Sequence, residues 1–202
     1  MRKGLIILLA GLVLGLTAGA NAAPKPSEIP LSWELNFVYY PFQSIQIRLP
    51  GDNKPKVYWY LRYTVTNNTG QDIDFFPLFW LYLDTGKIIR DDLGVNPLVL
   101  KAIRKRHNAS LLEDPVQIIG KLLQGEDNAR EGVAIWKDFD QKAKRLNLFV
   151  SGISGETRIV TGKGKKPVIL RKTLDLWYQI SGDPLRRSKL HMIYKGKKWI
   201  MR

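Results

Sequence analysis

Apolar and polar residues alternate one for one through most of this chain, the spacing that gives a β-strand one buried and one solvated face. Trp33, Leu35 and Phe37 alternate with Ser32, Glu34 and Asn36, and Ile45, Ile47 and Leu49 repeat the pattern before the turn Pro50-Gly51-Asp52-Asn53. The clearest strand runs from Lys56 to Thr66: Val57, Trp59, Leu61, Tyr63 and Val65 are assigned to the core, and Tyr58, Tyr60, Arg62, Thr64 and Thr66 away from it. Asn67-Asn68-Thr69-Gly70 ends it, because Asn and Gly tolerate positive φ. Ile73 to Leu83 follows, with Pro77 either bulging it or splitting it into two short strands. Asp84-Thr85-Gly86 then turns the chain into Lys87 to Ile89.

Between Asn96 and Leu123 the spacing becomes helical. Asn96 fits an N-cap with Pro97 in the first helical position, Val99, Ala102 and Ile103 form an apolar stripe, and Lys101, Arg104 and Lys105 form a basic stripe beside it. Asp114-Pro115 begins a second helix by the same logic, with Ile119, Leu122 and Leu123 on one face and Gly125 as terminator. Strands resume at Gly132 to Trp136, Leu146 to Val150 and Val168 to Ile180, where Lys172 interrupts an otherwise apolar face. His191 to Tyr194 and Trp199 to Met201 are expected to form a last hairpin across Lys195-Gly196-Lys197-Lys198. Roughly eight or nine strands at this spacing predict a mainly β fold, an Ig-like antiparallel β-sandwich with a short two-helix insertion at about residues 96–124.

The first 22 residues follow a different rule. Arg2 and Lys3 precede an apolar run from Leu5 to Leu16, and Ala20-Asn21-Ala22 supplies the small residues of a cleavage site, so residues 1–22 read as a signal peptide and the protein as exported, periplasmic or extracellular. Residues 23–30, with Pro24, Pro26 and Pro30, form an extended leader, and residues 31–202 a single β-sandwich domain. With the signal removed, no stable membrane insertion is expected. The chain holds no cysteine, which excludes disulfides, thiol catalysis and thiolate metal sites. It carries 32 Lys and Arg against 18 Asp and Glu. That balance points to an anionic envelope component or a protein partner, and export makes nucleic acid an unlikely one.

Tyr63-Thr64-Val65-Thr66-Asn67-Asn68-Thr69-Gly70, followed by an apolar strand and Asp84-Thr85-Gly86, resembles the strand and turn of bacterial immunoglobulin-like adhesion modules. The wider frame, with Gly132 to Trp136, Ser151 to Glu156 and Arg171 to Leu174, resembles uncharacterised secreted proteins of planctomycete-type bacteria. The resemblance implies an Ig-like domain and no particular activity.

Enzymatic constellations lack parts. His107 and His191 both sit among basic residues that lower their proton affinity. Gly152-Ile153-Ser154-Gly155-Glu156 has Glu156 where a nucleophile elbow needs its second glycine, and reads as a turn between strands. The densest acidic set is Glu126, Asp127, Glu131, Asp138 and Asp140, and no metal-ligand spacing or cofactor motif is present. What remains is basic: Lys163, Lys165, Lys166, Lys195, Lys197 and Lys198 are the candidate anion-binding residues, flanked by Trp177, Tyr194 and Trp199. The expected function is a non-catalytic cell-envelope interaction module binding a protein or polyanionic partner; the alternative is an envelope hydrolase acting on glycan or ester bonds.

Overall fold

The structure is a computed structural model that describes residues 23–202, Lys163 by its backbone alone. The signal-peptide assignment and its cleavage point lie outside the described residues. In chain order the strands are β1 (Asn36–Tyr39), β2 (Gln43–Ile47), β3 (Lys56–Asn67), β4 (Ile73–Phe75), β5 (Leu78–Leu83) and β6 (Ile88–Arg90), followed by helix α1 (Pro97–His107). Then come β7 (Gly120–Leu122), β8 (Gly125–Lys137), β9 (Arg145–Ser151), β10 (Thr157–Thr161), β11 (Pro167–Ser181) and β12 (His191–Met201). The fold is mainly β, and every ladder between these strands is antiparallel.

The first sheet is built on β3. β1 pairs with its C-terminal half and β2 with its N-terminal half, and β8 lines the opposite edge over almost its whole length. The register steps by one residue between β1 and β2, at Pro41, which has no N–H to give to a ladder. The second sheet is built on β11: β12 runs along one edge, β9 and β10 in succession along the other, and β5 and β6 continue outward from β9. Pro77 divides the run before Leu83 into β4 and β5, and β4 pairs with β7 in a separate ribbon.

The two sheets share one core. Trp59, Leu61, Tyr63, Val65 and Trp136 of the first meet Phe79, Leu81, Leu148, Val150, Leu176 and Tyr178 of the second. At Gly132 on β8 an added Cβ would run into the Tyr63 ring, so the glycine is what lets that ring lie flat against its neighbour strand.

Three expectations are corrected. Tyr58 and Tyr60 are not outward: both are buried, with Val133 and Ile135, beneath Val99, Leu100 and Ile103 of α1. Beneath α1 the first sheet is therefore apolar on both faces, which strict alternation does not show, while Arg62, Thr64 and Thr66 further along β3 keep that face polar. The insertion holds one helix, not two. Asp114 does cap a turn, accepting from the N–H groups of Val116 and Gln117. But the chain then enters β7, whose Leu122 is buried in the main core beside Ile73. Third, Lys195-Gly196-Lys197-Lys198 is not a hairpin turn but the middle of β12, where a bulge at Lys195 shifts the register against Trp177 and Tyr178.

Candidate functional site

The outer side of the first sheet carries α1 over Tyr58, Tyr60, Val133 and Ile135, whereas among the described residues no element packs over the outer face of the second. Side chains there are those of opposite parity to the core: Trp80 and Tyr82 on β5, Arg145, Asn147 and Phe149 on β9, Asp175 and Trp177 on β11, Lys198 on β12. Pairing sets them side by side, with Trp80 opposite Phe149, Tyr82 opposite Asn147, Phe149 opposite Asp175, Asn147 opposite Trp177 and Asp175 opposite Lys198. Four strands thus present a grid of rings, amides and charges.

Asp175 anchors the centre. It is 3% exposed. Its carboxylate accepts from Asn147 Nδ2 at 2.7 Å and Trp177 Nε1 at 2.8 Å, with Lys198 Nζ at 4.0 Å. These bonds fix the amide and the indole, since a buried carboxylate without donors would be strongly unfavourable. Around it the rings carry cations: Arg202 lies 4.1 Å from the Phe149 ring and 5.6 Å from that of Tyr82, Lys198 4.9 Å from Trp177, and Arg90 6.0 Å from Trp80. Tyr82 and Phe149 meet edge to face at 6.0 Å. Between Tyr82 and Trp177 runs a groove of about 620 Å³, lined also by Asn147, Gln179, Arg145 and Lys195.

The sequence-derived lysines divide. Lys195 lines the groove and Lys198 stands on its face, while Lys197 belongs to the other side of β12, with its ammonium 5.9 Å from the Tyr39 ring. Trp177 is on the open face; Trp199 and Tyr194, opposite Leu174 and Tyr178, are on the inner side. Lys163, Lys165 and Lys166 occupy the turn before Pro167, at the far end of β11. From Pro167 to Asp175, the partner of Lys198, is about 26 Å of extended strand. That exceeds two Debye lengths, ~16–20 Å at physiological salt, so the two groups are not gathered into one surface.

The remaining charged clusters are occupied by one another. Lys172, 3% exposed, places Nζ 2.8 Å from Glu34, 3.6 Å from Glu156 and 4.9 Å from the Trp199 ring. The 23–30 segment lies over this triad, with the Ser27 N–H donating to Glu156 Oε1 at 3.0 Å. Asp138 accepts from Arg187 and from Trp59 Nε1 at 2.8 Å, and Asp140 pairs with Lys87 at 3.2 Å, so the acidic set is dispersed. His107 Nε2 is 2.8 Å from the Tyr60 hydroxyl, and burial, then Arg62 and Arg106, hold its pKa below the ordinary histidine value. Ser154 Oγ accepts the Glu156 N–H in the turn between β9 and β10. Among the described residues no cluster of His, Asp and Glu could hold a metal ion, and no helix is long and apolar enough to cross a membrane.

Sequence reasoning missed Tyr82, Arg145, Asn147 and Asp175. Their signal was present in the off-core parity of each strand, but only the order β5–β9–β11–β12 makes them neighbours. The fold and this face together define a mainly β, antiparallel protein with an open aromatic and basic sheet surface. Compared with protein-family models, curated proteins and solved structures, the chain finds no match in any of the three.

Proposed function

We propose that this protein is an exported, non-catalytic interaction module of the cell envelope that binds a polyanionic partner across the outer face of its second sheet. The observation that carries this reading is the coincidence, on one uncovered face, of aromatic rings with the cations Arg90, Arg145, Lys195, Lys198 and Arg202. Exposed rings beside cations attract anions carried on a partly apolar frame, and the strongly basic chain adds a long-range field that speeds encounter. Two antiparallel sheets sharing a core, with the Tyr63-to-Gly70 segment forming the end of β3 and its turn, also support the Ig-like reading. In that turn Asn67 is fully buried and its amide donates to Gln71 and Leu122 carbonyls at 2.8 Å each.

The test is retention of the protein on heparin and on anionic vesicles. Retention should fall steeply with salt. Reversing Arg145, Lys195 and Lys198 to Glu together should abolish it, while reversing Lys163, Lys165 and Lys166 should lower it only slightly. Equal losses from the two triple variants would reduce the binding to net charge and remove the case for a site.

A further inference from the structure

The Tyr82–Trp177 groove is lined by rings, amides and charges of both signs. We propose that the groove binds an acidic polysaccharide of the uronic-acid type, an assignment that rests on the polyanion reading above and narrows it. Tyr82 is 41% exposed and Trp177 is half-buried with its indole N–H held by Asp175, so both offer ring surface to a ligand lying along the groove. A sugar ring has an apolar C–H face that packs on such a surface, and hydroxyl groups at its edge that must find both donors and acceptors.

The groove supplies both kinds. Asn147 and Gln179 carry amides, each a donor and an acceptor, and Asp84 contributes carboxylate oxygens that accept only. The cations are placed for an acid group. Arg145 stands 3.6 Å from Asp84 with its side chain 78% exposed, leaving the planar guanidinium fork toward solvent where it can take a carboxylate through two parallel bonds. Lys195 lines the same groove.

A polyphosphate or a nucleic-acid strand fits this lining less well. Stacking would accept bases, but a polyphosphate has no hydroxyl and a nucleic-acid strand few to donate to the Asn147 and Gln179 amide oxygens and the Asp84 carboxylate, which are left without donors when a phosphate chain lies there. A chain of hydroxyls with one carboxylate per ring can meet both the amides and Asp84 and the cations of the groove. The volume, about 620 Å³, lies within the range of built ligand sites.

Titration of the protein with a uronic-acid oligosaccharide, its methyl-esterified neutral form, an oligothymidylate and inorganic polyphosphate, read by tryptophan fluorescence and calorimetry, tests the assignment. The uronate should bind most tightly, and esterification should weaken it by about tenfold or more. Tyr82→Ala and Trp177→Ala should each weaken the uronate by about tenfold, with unchanged far-UV circular dichroism. Tyr82 is exposed enough that its truncation leaves the fold intact should the Trp177 variant fail to fold. Oligothymidylate or polyphosphate binding as tightly as the uronate, or uronate affinity untouched by the ring truncations, overturns the glycan assignment and leaves the polyanion reading standing. Anion binding that survives reversal of Arg145, Lys195 and Lys198 overturns both.

Discussion

Asp91 is a charge in the wrong place for stability. It follows β6, is 6% exposed, and burial pushes its pKa up to about 6, against the opposing pull of Arg90 at 3.7 Å. The nearby Tyr63 hydroxyl is also buried and has no hydrogen-bond partner among the described residues, and burial first and Asp91 second drive its pKa well above the ordinary value. Because the folded-state pKa of Asp91 exceeds its unfolded value of 3.8, the native state holds the proton more tightly than the unfolded chain. The ionised carboxylate therefore costs stability at neutral pH, about 3 kcal/mol at ~1.4 kcal/mol per pH unit between the two values. That cost falls away as pH drops through about 6 and is gone below about 4. Asp91→Asn should raise the urea midpoint at pH 7.5 and flatten the pH dependence of stability between 4 and 7. A variant no more stable than the parent at pH 7.5 would show that Asp91 has a partner worth more than its burial.

At the scale of elements, Lys172 decides how β10, β11 and the 23–30 segment hold together. Its position in an apolar run is visible in the sequence, but its partners Glu34 and Glu156 come from two distant strand ends. Removing a buried charge leaves its partners uncompensated, typically at a loss of about 3–5 kcal/mol, whereas removing both sides of a pair is far milder. Lys172→Met should thus lose stability on that scale in urea denaturation, and adding Glu156→Gln should recover a substantial part. Additive losses would mean that the two side chains do not depend on each other. The lysines of β12 show where local reading stops. Gly196 between lysines has the composition of a turn, yet the residues that turn the chain are those between Ser181 and His191, and Gly196 to Lys198 pair with Trp177 to Asp175. Among the described strands β12 pairs with β11 alone, and lysines on such an outer strand also discourage edge-to-edge association. The missing second helix has a similar cause. Leu122 and Leu123 suit a helix face or a strand, and tertiary pairing of β7 with β4 decides for the strand.

Across the whole molecule, alternation makes the long strands and one core face legible but not β7 or β10, and Asn96-Pro97 locates the start of α1 to the residue. It hides the layer beneath that helix, because a sheet buried on both sides no longer alternates. It hides the candidate site for a related reason: Tyr82 and Trp177 are 95 residues apart, with Asn147 between them, and become neighbours only through sheet order. β3 and β8 belong to both cores, with Trp59 and Trp136 on one face and Tyr58, Tyr60, Val133 and Ile135 on the other. Loosening α1 uncovers the back of the strands that hold the main core, so melting of the helix layer is expected to weaken the rest. Ile103 is fully buried at the centre of that contact, and its truncation to Ala should cost about 2–4 kcal/mol. If the layers are one cooperative unit, far-UV circular dichroism and tryptophan fluorescence should report coincident urea transitions in the parent and in Ile103→Ala, displaced together to lower denaturant. A helix signal lost at lower urea than the fluorescence change, in either protein, would mean that α1 is an appended layer and that the two sheets stand without it.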